Sequence, residues 1–121
     1  MATVELTREN FDEVVGKGTV LVDFWAEWCG PCRMFGPVFE QSSDQHEEIV
    51  HAKVDTEAQQ ELAAAFNIRS IPTLMAVRDG VVVFSQPGAL PAAALEDLIG
   101  QVQGLDMDKV REQIKAEQQQ Q

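Results

Sequence analysis

Val20-Leu21-Val22-Asp23-Phe24-Trp25-Ala26-Glu27-Trp28-Cys29-Gly30-Pro31-Cys32-Arg33 is the stretch that decides the fold. From Val20 to Ala26 it is apolar throughout, save for Asp23. A strand with one wet face alternates apolar and polar residues; an unbroken apolar run is buried on both faces. The reading is a central strand with helices above and below. Pro31 suits the first turn of a helix. The next element is therefore a helix from Gly30 to about His46, with Pro37 inside it expected to kink it. The two cysteines fall where strand passes into helix.

Outward from this segment the elements alternate. Thr3–Leu6 reads as a short edge strand. Thr7 is placed to cap a helix running to Val15. Glu48–Asp55 reads as a strand. Glu57–Phe66 reads as a helix with Leu62, Ala65 and Phe66 inward, ended by Asn67. Thr73–Val77 and Val81–Ser85 are strands joined at Asp79-Gly80, a hairpin dipeptide. Pro91 opens a helix to about Gln103. This order predicts an α/β protein: a mixed sheet of about five strands with helices on both faces. Residues 1–104 form one domain. Residues 105–121 form a separate helical extension, with Met107, Val110 and Ile114 as a narrow stripe, Asp106 as its cap and a frayed glutamine tail.

The chain has 121 residues and a net charge of −11. That charge excludes nucleic acid as a partner, because phosphate recognition needs a basic face. It argues equally against an anionic membrane. No apolar run approaches the ~18–20 residues of a spanning helix. Glu5, Arg8 and Glu9 interrupt the start, where a secretion signal would be apolar. The expected compartment is the cytoplasm, where thiols stay reduced.

The chemistry centres on Cys29 and Cys32. A helix start presents unpaired N–H groups and a positive dipole end, which favour a thiolate at Cys29. Cys32, three residues on, shares its helix face. A bond closing so short a loop stabilises the fold by only about 2 kcal/mol, which suits exchange better than stapling. Gly30 lets a substrate backbone approach. Cys29, Cys32, His46 and His51 also fit C-x2-C-x13-H-x4-H, a zinc spacing. One helix over residues 30–46 would put His46 roughly 25 Å from Cys29, so no metal site is expected. Asp23, inside a buried strand, is expected to have a raised pKa and to act as a proton carrier below the cysteines. Lys53 on the next strand is a partner for it. Pro72 cannot donate to a sheet, which leaves the Ile71 backbone for an extended guest chain. Trp25 reads as core, Trp28 as a lid beside Cys29. The acids at Glu47-Glu48 and Glu57-Glu61 read as solvated faces.

These residues together resemble the thioredoxin family. Val22 to Cys32 is similar to its active-site segment, Ile68-Arg69-Ser70-Ile71-Pro72-Thr73 to its cis-proline loop, and Gly88-Ala89-Leu90 to its third active-site loop. The resemblance covers about Val4 to Val102. It implies a thioredoxin-like fold, with Cys29 as nucleophile, Cys32 as buried resolving thiol, Asp23 as buried acid, Lys53 at the family's lysine position, a cis Pro72, and Gly88 lining the substrate groove. Phe35-Gly36 before Pro37 and Pro87 before Gly88 depart from the family's pattern, and residues 105–121 run past its usual end.

The expected activity is a thiol-disulfide oxidoreductase that reduces protein disulfides. The resemblance implies a monomer without bound cofactor, whose redox-active group is the Cys29-Cys32 disulfide. A thioredoxin reductase, holding the NADPH and flavin, would recycle it, and its other partners would be disulfide-containing clients. A disulfide oxidase or isomerase, a non-enzymatic binding module and a reductant dedicated to one client share these residues and remain as alternatives.

Overall fold

A computed structural model describes residues 2–119. Its elements in chain order are β1 (Val4–Glu5), α1 (Phe11–Val15), β2 (Thr19–Trp25), α2 (Gly30–Gln45), β3 (Val50–Asp55), α3 (Gln60–Ala65), β4 (Thr73–Arg78), β5 (Val81–Pro87), α4 (Ala92–Gln103) and α5 (Met107–Gln119). The five strands form one sheet in the order β1-β3-β2-β4-β5. β1, β3 and β2 run parallel, and β4 and β5 are antiparallel. The expected mixed sheet and the sequence of elements are present.

β2 is central, and its side chains alternate between two cores. Val20, Val22 and Phe24 join Leu6, Val15, Val54 and Leu62, the face covered by α1 and α3. Leu21 points the other way, to Phe35 and Phe39 of α2 and Leu95 and Ile99 of α4. By the same alternation Asp23 lies on the α2 side. β3 repeats the pattern: Ala52 and Val54 face α1 and α3, which turns His51 and Lys53 towards α2. In register, Asp23 stands opposite Lys53.

Several boundaries differ from the sequence reading. α1 begins at Phe11, and Thr7 caps the turn before it: its hydroxyl accepts from the Asn10 N–H at 3.3 Å while Asn10 Oδ1 accepts from the Thr7 N–H at 2.7 Å. α3 begins at Gln60 rather than Glu57, because Asp55 Oδ1 takes the N–H groups of Glu57 and Ala58. Leu62 is buried and Phe66 packs beside it, but Ala65 is exposed, its methyl too short to reach the sheet. α2 continues through Pro37, and Pro91 is the N-cap of α4 rather than its first residue. The hairpin is as expected: Asp79 and Gly80 both have positive φ, 51° and 81°, the pattern of a type I′ turn.

Asp106 caps α5, its Oδ1 accepting from the N–H groups of Asp108 and Lys109. Met107 is buried and Val110 and Ile114 are half-buried, so the stripe faces the domain. Arg111 reaches Asp79 at 3.5 Å. Gln118 and Gln119 are helical rather than frayed, and Gln120 and Gln121 lie outside the described residues. Both Arg111 and Asp79 are well exposed, so their pairing contributes less than about 1 kcal/mol, whereas a buried methionine contributes about 2 kcal/mol. Met107→Ala is therefore expected to speed amide exchange through Val110–Ile114 at least about tenfold, and Arg111→Ala much less. Equal effects would show that burial of Met107 is not what holds α5.

Candidate active site

β2 ends at Trp25 and the chain turns through Ala26, Glu27 and Trp28 into α2. Cys29 is the N-cap of that helix, in extended backbone conformation, and its Sγ accepts a 3.2 Å hydrogen bond from the Cys32 N–H. Capping side chains are usually oxygen acceptors. A sulfur in that position takes the same orphan N–H, and it does so best as a thiolate, since the donor and the helix dipole both favour negative charge. Cys29 and Cys32 form a disulfide, with Cα atoms 5.2 Å apart. Pro31 occupies the first turn of α2.

Exposure does not separate the two cysteines: Cys29 is 4% exposed and Cys32 5%. The hydrogen bond does, because it is Cys29 that receives it. Around them the surface is open. Gly30 and Pro31 are exposed, Trp28 is 66% exposed and Met34 77%. Trp28 is held in place by its Nε1–H, which donates to Glu57 Oε1 at 2.7 Å. The expected lid is thus pinned by an acid read from sequence as a merely solvated face. Glu61 pairs with Arg8, and Glu48 accepts from His46.

The Ile71-Pro72 peptide is cis, as the resemblance implied. The Ile71 carbonyl oxygen lies 3.7 Å from Cys29 Sγ, which brings this loop against the disulfide. Gly88, with φ of 112°, donates its N–H to the Pro72 carbonyl at 2.8 Å. That conformation favours glycine. Pro87 stands opposite Thr73 in the β4–β5 ladder. Cysteine turn, proline loop and Gly88 turn therefore meet at one end of the sheet.

Asp23 is 1% exposed, and its Oδ1 has no hydrogen-bond partner. Its pKa is pushed up to about 7, first by burial; Lys53 lowers it and Glu40 raises it. Lys53 does not pair directly with Asp23, contrary to the sequence reading. Its Nζ lies 4.9 Å over the Trp25 ring and 4.0 Å from Glu40 Oε1. The long stem carries the ammonium past Asp23 to a partly hydrated rim, where solvation and a cation–π contact favour it. Glu40 was missed by the sequence reading. Its signal is positional: Cys32, Gly36 and Glu40 are spaced by four along α2 and so form one row on the helix.

His46 and His51 do not join the cysteines. His51 is buried, its Nε2 2.8 Å from Ser42 Oγ and its Nδ1 3.1 Å from the Ile49 carbonyl, and burial lowers its pKa. The Ile49 contact requires Nδ1–H, so Nε2 accepts from the serine hydroxyl. His46 lies 2.8 Å from Glu96 and 3.3 Å from Glu48, and the hydrogen bond to Glu96 chiefly raises its pKa. No group of three or more potential metal ligands occurs among the described residues. None of the described helices is long and apolar enough to cross a membrane.

Comparison with known proteins accords with this geometry. The family model for thioredoxin matches residues 2–101. A protein described as putative thioredoxin 2 of Streptomyces coelicolor is 63% identical over 119 residues, covering 98% of this chain and 88% of that one. An alignment of that length takes in α5. The thioredoxin of Bacillus subtilis is 40% identical over 100 residues, covering 82% of this chain and 96% of its own. The crystal structure of a Malassezia sympodialis thioredoxin superposes with a TM-score of 0.74 at 35% identity, over 84% of this chain and 91% of that one. The chain belongs to the thioredoxin family of protein-disulfide oxidoreductases, and carries that family's redox-active pair as the Cys29–Cys32 disulfide.

Proposed function

We propose that Cys29 attacks client disulfides and that Cys32, with Asp23 as its proton acceptor, resolves the intermediate. The observation that carries this is the hydrogen bond from the Cys32 N–H to Cys29 Sγ, which marks Cys29 as the sulfur best able to hold negative charge. In the reduced protein the Cys29 thiolate attacks one client sulfur, and the other client sulfur leaves as a thiolate. Cys32 then gives its proton to the Asp23 carboxylate and attacks Cys29 Sγ. The Cys29–Cys32 disulfide re-forms and the first client sulfur leaves. Two electrons pass from dithiol to client. An NADPH-linked flavoprotein reductase returns them, so the chain needs no resident cofactor.

Trp28 and the Ile71-Pro72 loop flank the sulfur, and Ile71 offers backbone for an extended client segment. Gly88 closes the groove, and Gly30 and Pro31 shape the cysteine turn. Lys53 supports Asp23 electrostatically. The chain works as a monomer in the cytoplasm, where a reducing environment keeps the dithiol ready. Residues 1–104 are the redox domain and 105–121 an extension, a division supported by the end of α4 at Gln103.

Cys32→Ser is expected to accumulate covalent mixed disulfides with clients, seen as slow bands on non-reducing denaturing gels and absent from a Cys29→Ser, Cys32→Ser double variant. Bands formed instead by Cys29→Ser, through Cys32, would reverse the assignment. Burial of Asp23 has its own test. The folded pKa lies above the unfolded one, so the folded state holds an extra proton between the two. Stability is therefore full below about 3.8 and is lost as pH rises towards 7. A carboxyl displaced from 3.8 to about 7 costs the folded state about 4 kcal/mol at alkaline pH. Asp23→Ala removes that cost, so its melting temperature relative to the parent is expected to rise between pH 4 and pH 8 while turnover falls. A difference that stays constant with pH would contradict an ionisable Asp23 in the core.

A further inference from the structure

Beneath α2, two carboxylate oxygens are buried without a hydrogen-bond partner: Asp23 Oδ1 and Glu40 Oε2. Such atoms are costly, and Glu40 has not been given a task. Its other oxygen is occupied. Oε1 accepts from the Thr3 hydroxyl at 2.8 Å and lies 4.0 Å from Lys53 Nζ. Thr3 thus fixes the carboxylate from β1's side of the sheet while Lys53 approaches from β3.

Lys53 stands between two openings. One, of about 200 Å³, is lined by Cys32, Gly36, Trp25 and Lys53 among others. The other, of about 320 Å³, is lined by Thr3, Glu5, Trp25, Lys53 and Asp55 among others. The first owes its room to Gly36, where an added Cβ would meet nothing within 4 Å. Both openings border Lys53, whose side chain is 25% exposed. The ammonium sits at a partly exposed rim, 4.0 Å from the acid on α2 and on the strand beside the acid on β2.

Resting on the proton role proposed for Asp23, we infer that Glu40 is a positioning residue for the Cys32 half-reaction: it holds the Lys53 ammonium off Asp23, and so sets the pH at which Asp23 can take the Cys32 proton. The charged groups around Asp23 make this a contest between few players. α2 presents Glu40 and Cys32, and β3 presents Lys53. β4 places uncharged Leu74 opposite Asp23. Glu5 and Asp55 line the outer opening beside Lys53. With Glu40 neutral, Asp23 becomes the acid that Lys53 serves, and its ionised form is favoured at lower pH. A proton acceptor ionised too readily is a weaker base for a thiol. Glu40 thus keeps Asp23 a stronger base by keeping its cation elsewhere.

The test is a carboxyl NMR titration of Asp23 in the full chain, beside the pH profile of client-thiol release in single turnover. Glu40→Gln keeps the Thr3 bond and removes the charge. It is expected to lower the Asp23 midpoint by about one pH unit and to move the release profile with it, leaving the KM for an insulin substrate unchanged. In a Lys53→Met background the shift caused by Glu40→Gln is expected to shrink to less than half. Glu40→Asp, which keeps the charge, should stay closer to the parent than Glu40→Gln and guards against a mere loss of fold. An Asp23 midpoint unmoved by Glu40→Gln overturns the inference alone. A midpoint that moves while the release profile stays put overturns the inference together with the Asp23 reading.

Discussion

Everything at the redox centre depends on one constraint: β2 is buried on both faces, so its side chains must alternate between two cores. That alternation puts Val20, Val22 and Phe24 against α1 and α3, and sends Leu21 and Asp23 under α2. A carboxylate in that row has no route to bulk water of its own. Burial first raises its pKa, and the charges of Lys53 on β3 and Glu40 on α2 then adjust it in opposite directions. The same strand delivers the chain to the turn from which α2 springs, so the acid and the sulfur pair are positioned by a single element. Burial and chemistry are one arrangement here.

At the cysteines the geometry separates tasks that exposure alone does not. Both residues are covered to a similar degree, yet only Cys29 receives the free N–H of the helix start. The proline loop, itself joined to the Gly88 turn, lies against the disulfide, and Trp28 precedes Cys29 in the chain. Trp28 is not loose: its indole N–H is tied to Glu57 at the start of the turn before α3. The segments around the disulfide are thus held by hydrogen bonds reaching into β3, the proline loop and the α3 turn.

Much of this was legible in the sequence, for definable reasons. The unbroken apolar run identifies β2 because no wet face tolerates it. Asp79-Gly80 identifies the hairpin because few residues accept two positive φ angles in succession. Asp106 was legible as a cap from its place before an apolar stripe. What escaped were contacts between segments distant in sequence. Lys53 looked like the partner of Asp23 because the two strands place them opposite, yet the length of the lysine stem carries its charge to Glu40. Glu57 looked like a surface acid and Glu40 drew no reading, since nothing local to either one names Trp28 or Lys53. Register is written in alternation; the reach of a long side chain is not.

Asp79 has a wider consequence. It sits at the turn between β4 and β5, accepts from the Gly18 N–H at 3.0 Å, and meets Arg111 of α5. This is the Thr19 end of β2, a strand's length, about 20 Å, from the cysteine end. The molecule thus has a front and a back. The front carries the redox-active disulfide. The back carries α5, so a cargo, tether or fluorophore joined through that helix would sit about a strand's length from the sulfur pair.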